Sequence, residues 1–96
     1  MKATFIHIEE FCTHHNIEVS LVHQLVELEI LTLEKADNRE VIELNELPKL
    51  ERMVRLHQEL EINPQGLQAI DHLLGQVSNL QEEVLRLRRR LNRFEK

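Results

Sequence analysis

The sequence predicts a mainly α-helical fold, a small winged helix-turn-helix body followed by one long coiled-coil helix. Three observations carry this. Glycine and proline are scarce, two of each in 96 residues, while 30% of residues are charged and 42% hydrophobic, a composition that suits helices. Two short apolar periodic runs near the start are separated by a turn-forming asparagine. Near the end, apolar residues recur every seven positions. A chain of this length buries only about 60–65% of its unfolded surface, so one marginal core is expected. With no Trp or Tyr and three Phe, that core is aliphatic.

The first helix is expected over Ile8–His15, with Ile8, Phe11 and Cys12 on one side. Asn16 tolerates the left-handed backbone, so His15-Asn16-Ile17 reads as a tight turn. The second helix is expected over Val19–Leu28, burying Leu21, Leu25 and Leu28 and turning Gln24 and Glu27 outward, with His23 off the apolar stripe. Two short helices joined by a tight turn form a helix-turn-helix unit. Leu31 and Leu33, then Val41, Ile42 and Leu44, flank the turn-like cluster Lys35–Arg39 and predict a two-stranded hairpin, the wing. Asn45 is expected to cap a third helix whose first turn accepts Pro48. Its apolar stripe is Leu47, Leu50, Met53, Val54, His57 and Leu60.

Asn63-Pro64 is a helix start, a capping side chain followed by a residue with no N–H to leave unpaired. In the helix that follows, Ile70, Val77, Val84 and Leu91 take a positions and Leu73, Leu80, Leu87 and Phe94 take d positions. A helix of about 30 residues spans about 45 Å, longer than a body of this size can cover. The expectation is a winged body over 1–62 and a dimerisation helix over 63–96 within one structural domain, with those eight apolar residues pairing two copies into a homodimer.

Charge is unevenly placed. Residues 1–47 hold three basic side chains against ten acidic ones, a net −7, whereas residues 63–96 hold six against four, a net +2. The first half should repel nucleic acid and attract a basic partner. Arg86, Arg89, Arg90 and Arg93 share one helix side. Arg88 and Arg90 sit at e and g positions where Glu82, Glu83 or Glu95 can pair with them, so a salt-bridged flank is expected rather than a nucleic-acid patch.

Cys12 is the only cysteine, which fits a reducing compartment. The start resembles no secretory signal, and no stretch approaches the roughly 18 apolar residues of a membrane helix, so a cytoplasmic location is expected. Cys12-x-His14-His15 is the one candidate metal cluster, but adjacent helical residues point apart and no second pair follows; no metal site and no cofactor are expected. Gly66 and Gly75 stand alone rather than in a phosphate loop, and no nucleophile elbow or carboxylate pair can be argued. Catalysis is not expected.

The succession of helix-turn-helix, wing, third helix and dimerising helix resembles the MerR superfamily. Glu10-Phe11-Cys12-x-His14, Val54-Arg55-Leu56-x-x-Glu59-Leu60 and Leu87-Arg88-x-Arg90-Leu91-x-Arg93-Phe94 resemble, in order and spacing, blocks of the chaperone-modulator (CbpM) family across about residues 5–94. That resemblance implies a bacterial cytoplasmic protein that binds the J-domain of a DnaJ-like co-chaperone (CbpA) and inhibits its action with DnaK. A J-domain presents a basic helix, which an acidic surface complements. The expected partner surface is Glu18, His23, Gln24 and Glu27 on the second helix, continued by Glu29 and Glu34 into the wing. The alternative is a small MerR-type DNA-binding transcription regulator. DNA-binding relatives, however, carry an Arg-Tyr-Tyr-like segment on the second helix. Here that stretch is His23-Gln24-Leu25, followed by Glu27 and Glu29, whose carboxylates would meet phosphates.

Overall fold

The structure, a computed structural model, describes residues 4–94. The elements run β1 (Phe5–His7), α1 (Ile8–His15), α2 (Val19–Glu27), β2 (Glu34–Ala36), β3 (Arg39–Glu43), α3 (Leu47–Leu60) and α4 (Pro64–Phe94), with a 3₁₀ turn at Leu44–Glu46 before α3. The fold is mainly helical, with a small antiparallel sheet and a long terminal helix, as the sequence predicts.

Chain reversals set the body's shape, and they do so without glycine. α1 ends at Asn16 (φ 57°), and the Ile17 N–H reaches back to the Cys12 carbonyl at 3.0 Å. α2 ends through Glu29 (φ 63°), with Ile30 N–H bonded to Leu25 O at 2.9 Å. These are six-to-one bonds that satisfy carbonyls left over at a helix end. α3 ends at Glu61 (φ 56°). An isoleucine follows each left-handed residue, and Ile17, Ile30 and Ile62 all fold onto the core. That apolar contact is what usually accompanies this type of helix stop.

The wing differs from the sequence expectation in three ways. It is the outer part of a three-stranded sheet of order β1-β3-β2, because Phe5–His7 pairs with β3 in the register Phe5↔Glu43 and Ile6↔Ile42. Three residues joined directly to α1 leave too short a pattern to read as a strand. The turn is not the whole of Lys35–Arg39 but Asp37-Asn38 alone, at φ 54° and 65°, while Ala36 pairs with Arg39. Two positive φ values match the right-handed twist of the flanking strands. Leu31 and Leu33 precede the strand, and Leu31 is buried in the core instead.

The core is built from Ile8, Phe11 and Cys12 of α1, Val22 and Leu25 of α2, Ile30, Leu31, Ile42, then Leu50, Met53 and Val54 of α3. Leu28, expected inside, is half-buried and packs against the edge of the core, because α2 stops one residue earlier, at Glu27, and Leu28 is its C-cap; Val22 is fully buried. α3 is not capped by Asn45. Glu46 occupies the cap position with no side-chain bond, because the 3₁₀ turn intervenes. Leu60, expected on the apolar stripe, is 64% exposed, since the chain turns at Glu61 and Ile62 packs inward instead.

α4 starts as its sequence predicts. Asn63 Oδ1 accepts the Gly66 N–H at 2.8 Å. A Cβ on Gly66 would stand 2.7 Å from Cγ2 of Ile62, so the close approach of the connecting chain requires glycine there. Leu67 is fully buried and joins the core. Gln68 Nε2 donates to the Leu28 carbonyl at 3.1 Å, and Lys49 Nζ bridges the Ile30 carbonyl (3.1 Å) and Asp71 (3.4 Å). Beyond Asp71 every described residue of α4 is exposed. The helix therefore projects from the body, giving extents of 56 × 37 × 21 Å.

Candidate partner-binding surface

α2 places its side chains by helical geometry: Leu21, Val22 and Leu25 face the core, which leaves Glu18, His23, Gln24 and Glu27 exposed. Glu18 stands at the cap position, and its Oε1 accepts the Ser20 hydroxyl at 3.3 Å. α2 contains no lysine or arginine.

The six residues expected at the partner surface fall into distinct settings. Glu18 and Gln24 line one open groove of about 550 Å³ with Asn16, Ile17, His57 and Gln58, between the helix-turn-helix corner and α3. Gln58 Nε2 donates to the His15 carbonyl at 3.2 Å, which fixes the groove's far wall. His23 lies on the other side, 2.7 Å from Glu40 of β3. Glu27 and Glu29 flank Leu28, whose carbonyl is held by Gln68, so both sit by the base of α4. Glu34 opens β2, opposite Val41.

Glu40 is a neighbour that sequence reasoning missed. Val41 and Ile42 are both buried, which hides the strand alternation. Once Ile42 is known to face the core with Ile6, Glu40, two residues away on the same side, is directed toward α2. Lys49 and Asp71 were likewise unread; their pairing depends on where α4 docks. On the wing, Arg39 lies 3.8 Å from Glu9 and 3.9 Å from Glu10, an exposed cluster of small energetic weight.

The quoted sequence blocks divide between interior and surface. In the first, Phe11 and Cys12 are buried while Glu10 and His14 are exposed; Phe11 stacks on His15 with centroids 4.1 Å apart. Cys12 is enclosed, and that burial pushes its thiol above the ordinary value. In the second, Val54 is buried and Leu60 is not. In the third, every residue is exposed.

Of the residues expected at the coiled-coil seam, Ile70 is half-buried against the body, while Leu73, Val77, Leu80, Val84, Leu87, Leu91 and Phe94 are exposed. Arg86 lies 3.6 Å from Glu83 within the same helix; Glu95, the other expected acidic neighbour, is outside the described residues. Among the described residues no helix is long and apolar enough to cross a membrane.

No curated protein matches the chain. A family model described as MerR HTH family regulatory protein matches residues 6–89.

Proposed function

The chain belongs to the MerR helix-turn-helix family of regulatory proteins, and within it we propose a chaperone modulator that binds the J-domain of a DnaJ-like co-chaperone and inhibits that co-chaperone's action with DnaK. The observation that carries this is charge. Residues 1–47 have a net −7, and α2, the helix that a DNA-binding relative would present to the groove, holds no lysine or arginine, ends at Glu27 and is followed by Glu29. Such a face repels phosphate and complements a basic helix. The three sequence blocks that resemble the chaperone-modulator family support the choice of a J-domain among basic partners. A cytoplasmic location and a role without catalysis belong to the same reading.

Binding would proceed by electrostatic steering of the J-domain's basic helix toward Glu27, Glu29 and Glu34, followed by docking across α2. The groove beside Glu18 and Gln24 offers Ile17 and Leu21 as its apolar floor. Occupying the J-domain helix denies it to DnaK, whose own docking surface is acidic.

The test is a titration against an isolated J-domain. The triple variant Glu27→Lys, Glu29→Lys, Glu34→Lys should fold normally by circular dichroism and associate about tenfold or more slowly, with the wild-type rate falling as salt rises. Unchanged binding by the folded triple variant overturns the assignment of this surface. The family description favours a second reading, a DNA-binding regulator. Sequence-specific DNA binding in the nanomolar range typical of operators would establish that one instead.

A further inference from the structure

The far end of α4 carries a charge that J-domain binding does not use, and we propose that it binds the phosphate backbone of duplex nucleic acid without reading sequence. Residues 84–94 contain Arg86, Arg88, Arg89, Arg90 and Arg93 and no carboxylate, a net +5. All five are exposed. A flank neutralised by glutamates is expected from the sequence, but only Arg86 meets one, at 3.6 Å from Glu83; the other four form no ion pair with a described residue. Nor does the acidic body reach them. The helix leaves the body after Asp71, and the 15 residues from there to Arg86 span about 22 Å, more than two Debye lengths at physiological salt.

Charge density and direction select the occupant. From Arg86 to Arg93 the five charges fall within about 11 Å of axis, about one per 2 Å, close to the one phosphate per roughly 1.7 Å of a duplex. The planar guanidinium fork also suits phosphate oxygens. Arg86 and Arg93 hold c positions and Arg89 an f position, on the side of α4 away from the a and d residues. These three therefore stay outward when the apolar stripe is covered. A lipid surface would be met by that stripe, with the same arginines turned away to water, so a membrane fits them poorly. The chain then has two surfaces of opposite sign: α2 repels phosphate and suits a basic helix, while the end of α4 suits phosphate.

The experiment titrates a fluorescent duplex of about 20 base pairs with the full chain, read by anisotropy between about 50 and 200 mM salt. Binding should be equal for two unrelated sequences, with a dissociation constant of about 10⁻⁴–10⁻⁶ M near physiological salt. Its logarithmic salt slope should be about −3 to −4.5, for three to five phosphate contacts. The variant Arg86→Gln, Arg89→Gln, Arg93→Gln should lose about tenfold or more in affinity and flatten the slope by about 3, with folding and mass checked by circular dichroism and light scattering. Arg89→Gln alone, which flattens it by about 1, serves if the triple variant does not fold. No duplex binding at the lowest salt overturns the proposal, as does unchanged affinity in the folded variants. Binding to anionic phospholipid vesicles but not to the duplex overturns it too. The Glu27, Glu29 and Glu34 variant should bind the duplex no more weakly than the wild type, so the nucleic-acid and J-domain surfaces succeed or fail separately.

Discussion

His23 Nε2 on α2 lies 2.7 Å from Glu40 Oε1 on β3, a direct side-chain link between the second helix of the helix-turn-helix and the wing. Both side chains are substantially exposed, at 49% and 38%, so solvent screens the pair. Its role is positional: it fixes the angle of the wing against α2 more than it holds the body together. His23→Ala and Glu40→Ala should each change stability by about 1 kcal/mol or less, with a coupling of about 0.2–1 kcal/mol in a double-mutant cycle followed by urea denaturation.

Two leucines near the junction of α3 and α4 should behave oppositely. Leu67 is fully buried and carries the base of α4 into the core, so Leu67→Ala should cost about 2–5 kcal/mol, much of the stability of a domain this small. Leu60, despite its place in the apolar pattern, should tolerate alanine within about 0.5 kcal/mol. Thermal or denaturant unfolding of the two variants checks the contrast.

Glutamate is an unfavourable residue at a left-handed position, and Glu61 stops α3 at φ 56°. Glu61→Gly should stabilise the protein by about 0.5–1 kcal/mol, and Asn16→Ala should destabilise it by a similar amount, since alanine fits the φ of 57° less well than asparagine does. Denaturation midpoints measure both. Glu29→Gly extends the comparison: it relieves the same strain while removing a carboxylate from the proposed J-domain surface, so stability should rise as affinity falls.

Burial holds the Cys12 thiol above its ordinary value, which lowers the thiolate fraction at any given pH. Alkylation by iodoacetamide should be slow in the native protein and become fast on unfolding. The folded state keeps this proton more tightly than the unfolded chain. Its contribution to stability is therefore complete below the ordinary thiol value and is lost as pH rises toward the raised one. A Cys12→Ala variant should lack that alkaline decline.

Residues whose partners lie within one element were legible in the sequence. Ile8, Phe11 and Cys12 repeat at helical spacing and are buried together. Asn63 and Pro64 announce a start that the Gly66 bond completes. Asn16 marks its turn by its own chemistry. The unread features depend on distant chain. Phe5–His7 becomes a strand only because β3 is there to pair with it, and Lys49 acquires its role only when Asp71 and the Ile30 carbonyl converge on it. The stops at Glu29 and Glu61 lacked a glycine to signal them, and the isoleucine that follows each was the available sign. The candidate surface was legible as exposed positions on α2, but not as the separate settings that Gln24, His23 and Glu27 occupy on the folded body.

The pairing of β1 with β3 also has a kinetic side. β2 and β3 are joined by two residues and close locally, whereas Phe5 must find Glu43 across α1, α2 and the hairpin itself. Loop-closure entropy makes the first event early and the second late. Until the amino-terminal strand docks, one edge of β3, with Val41 and Ile42 on it, stays open to strands of other chains. Each folding event therefore includes an interval in which the outer strand's place can be taken by a neighbour, and its length depends on how fast α1 forms and draws Phe5–His7 back to the sheet.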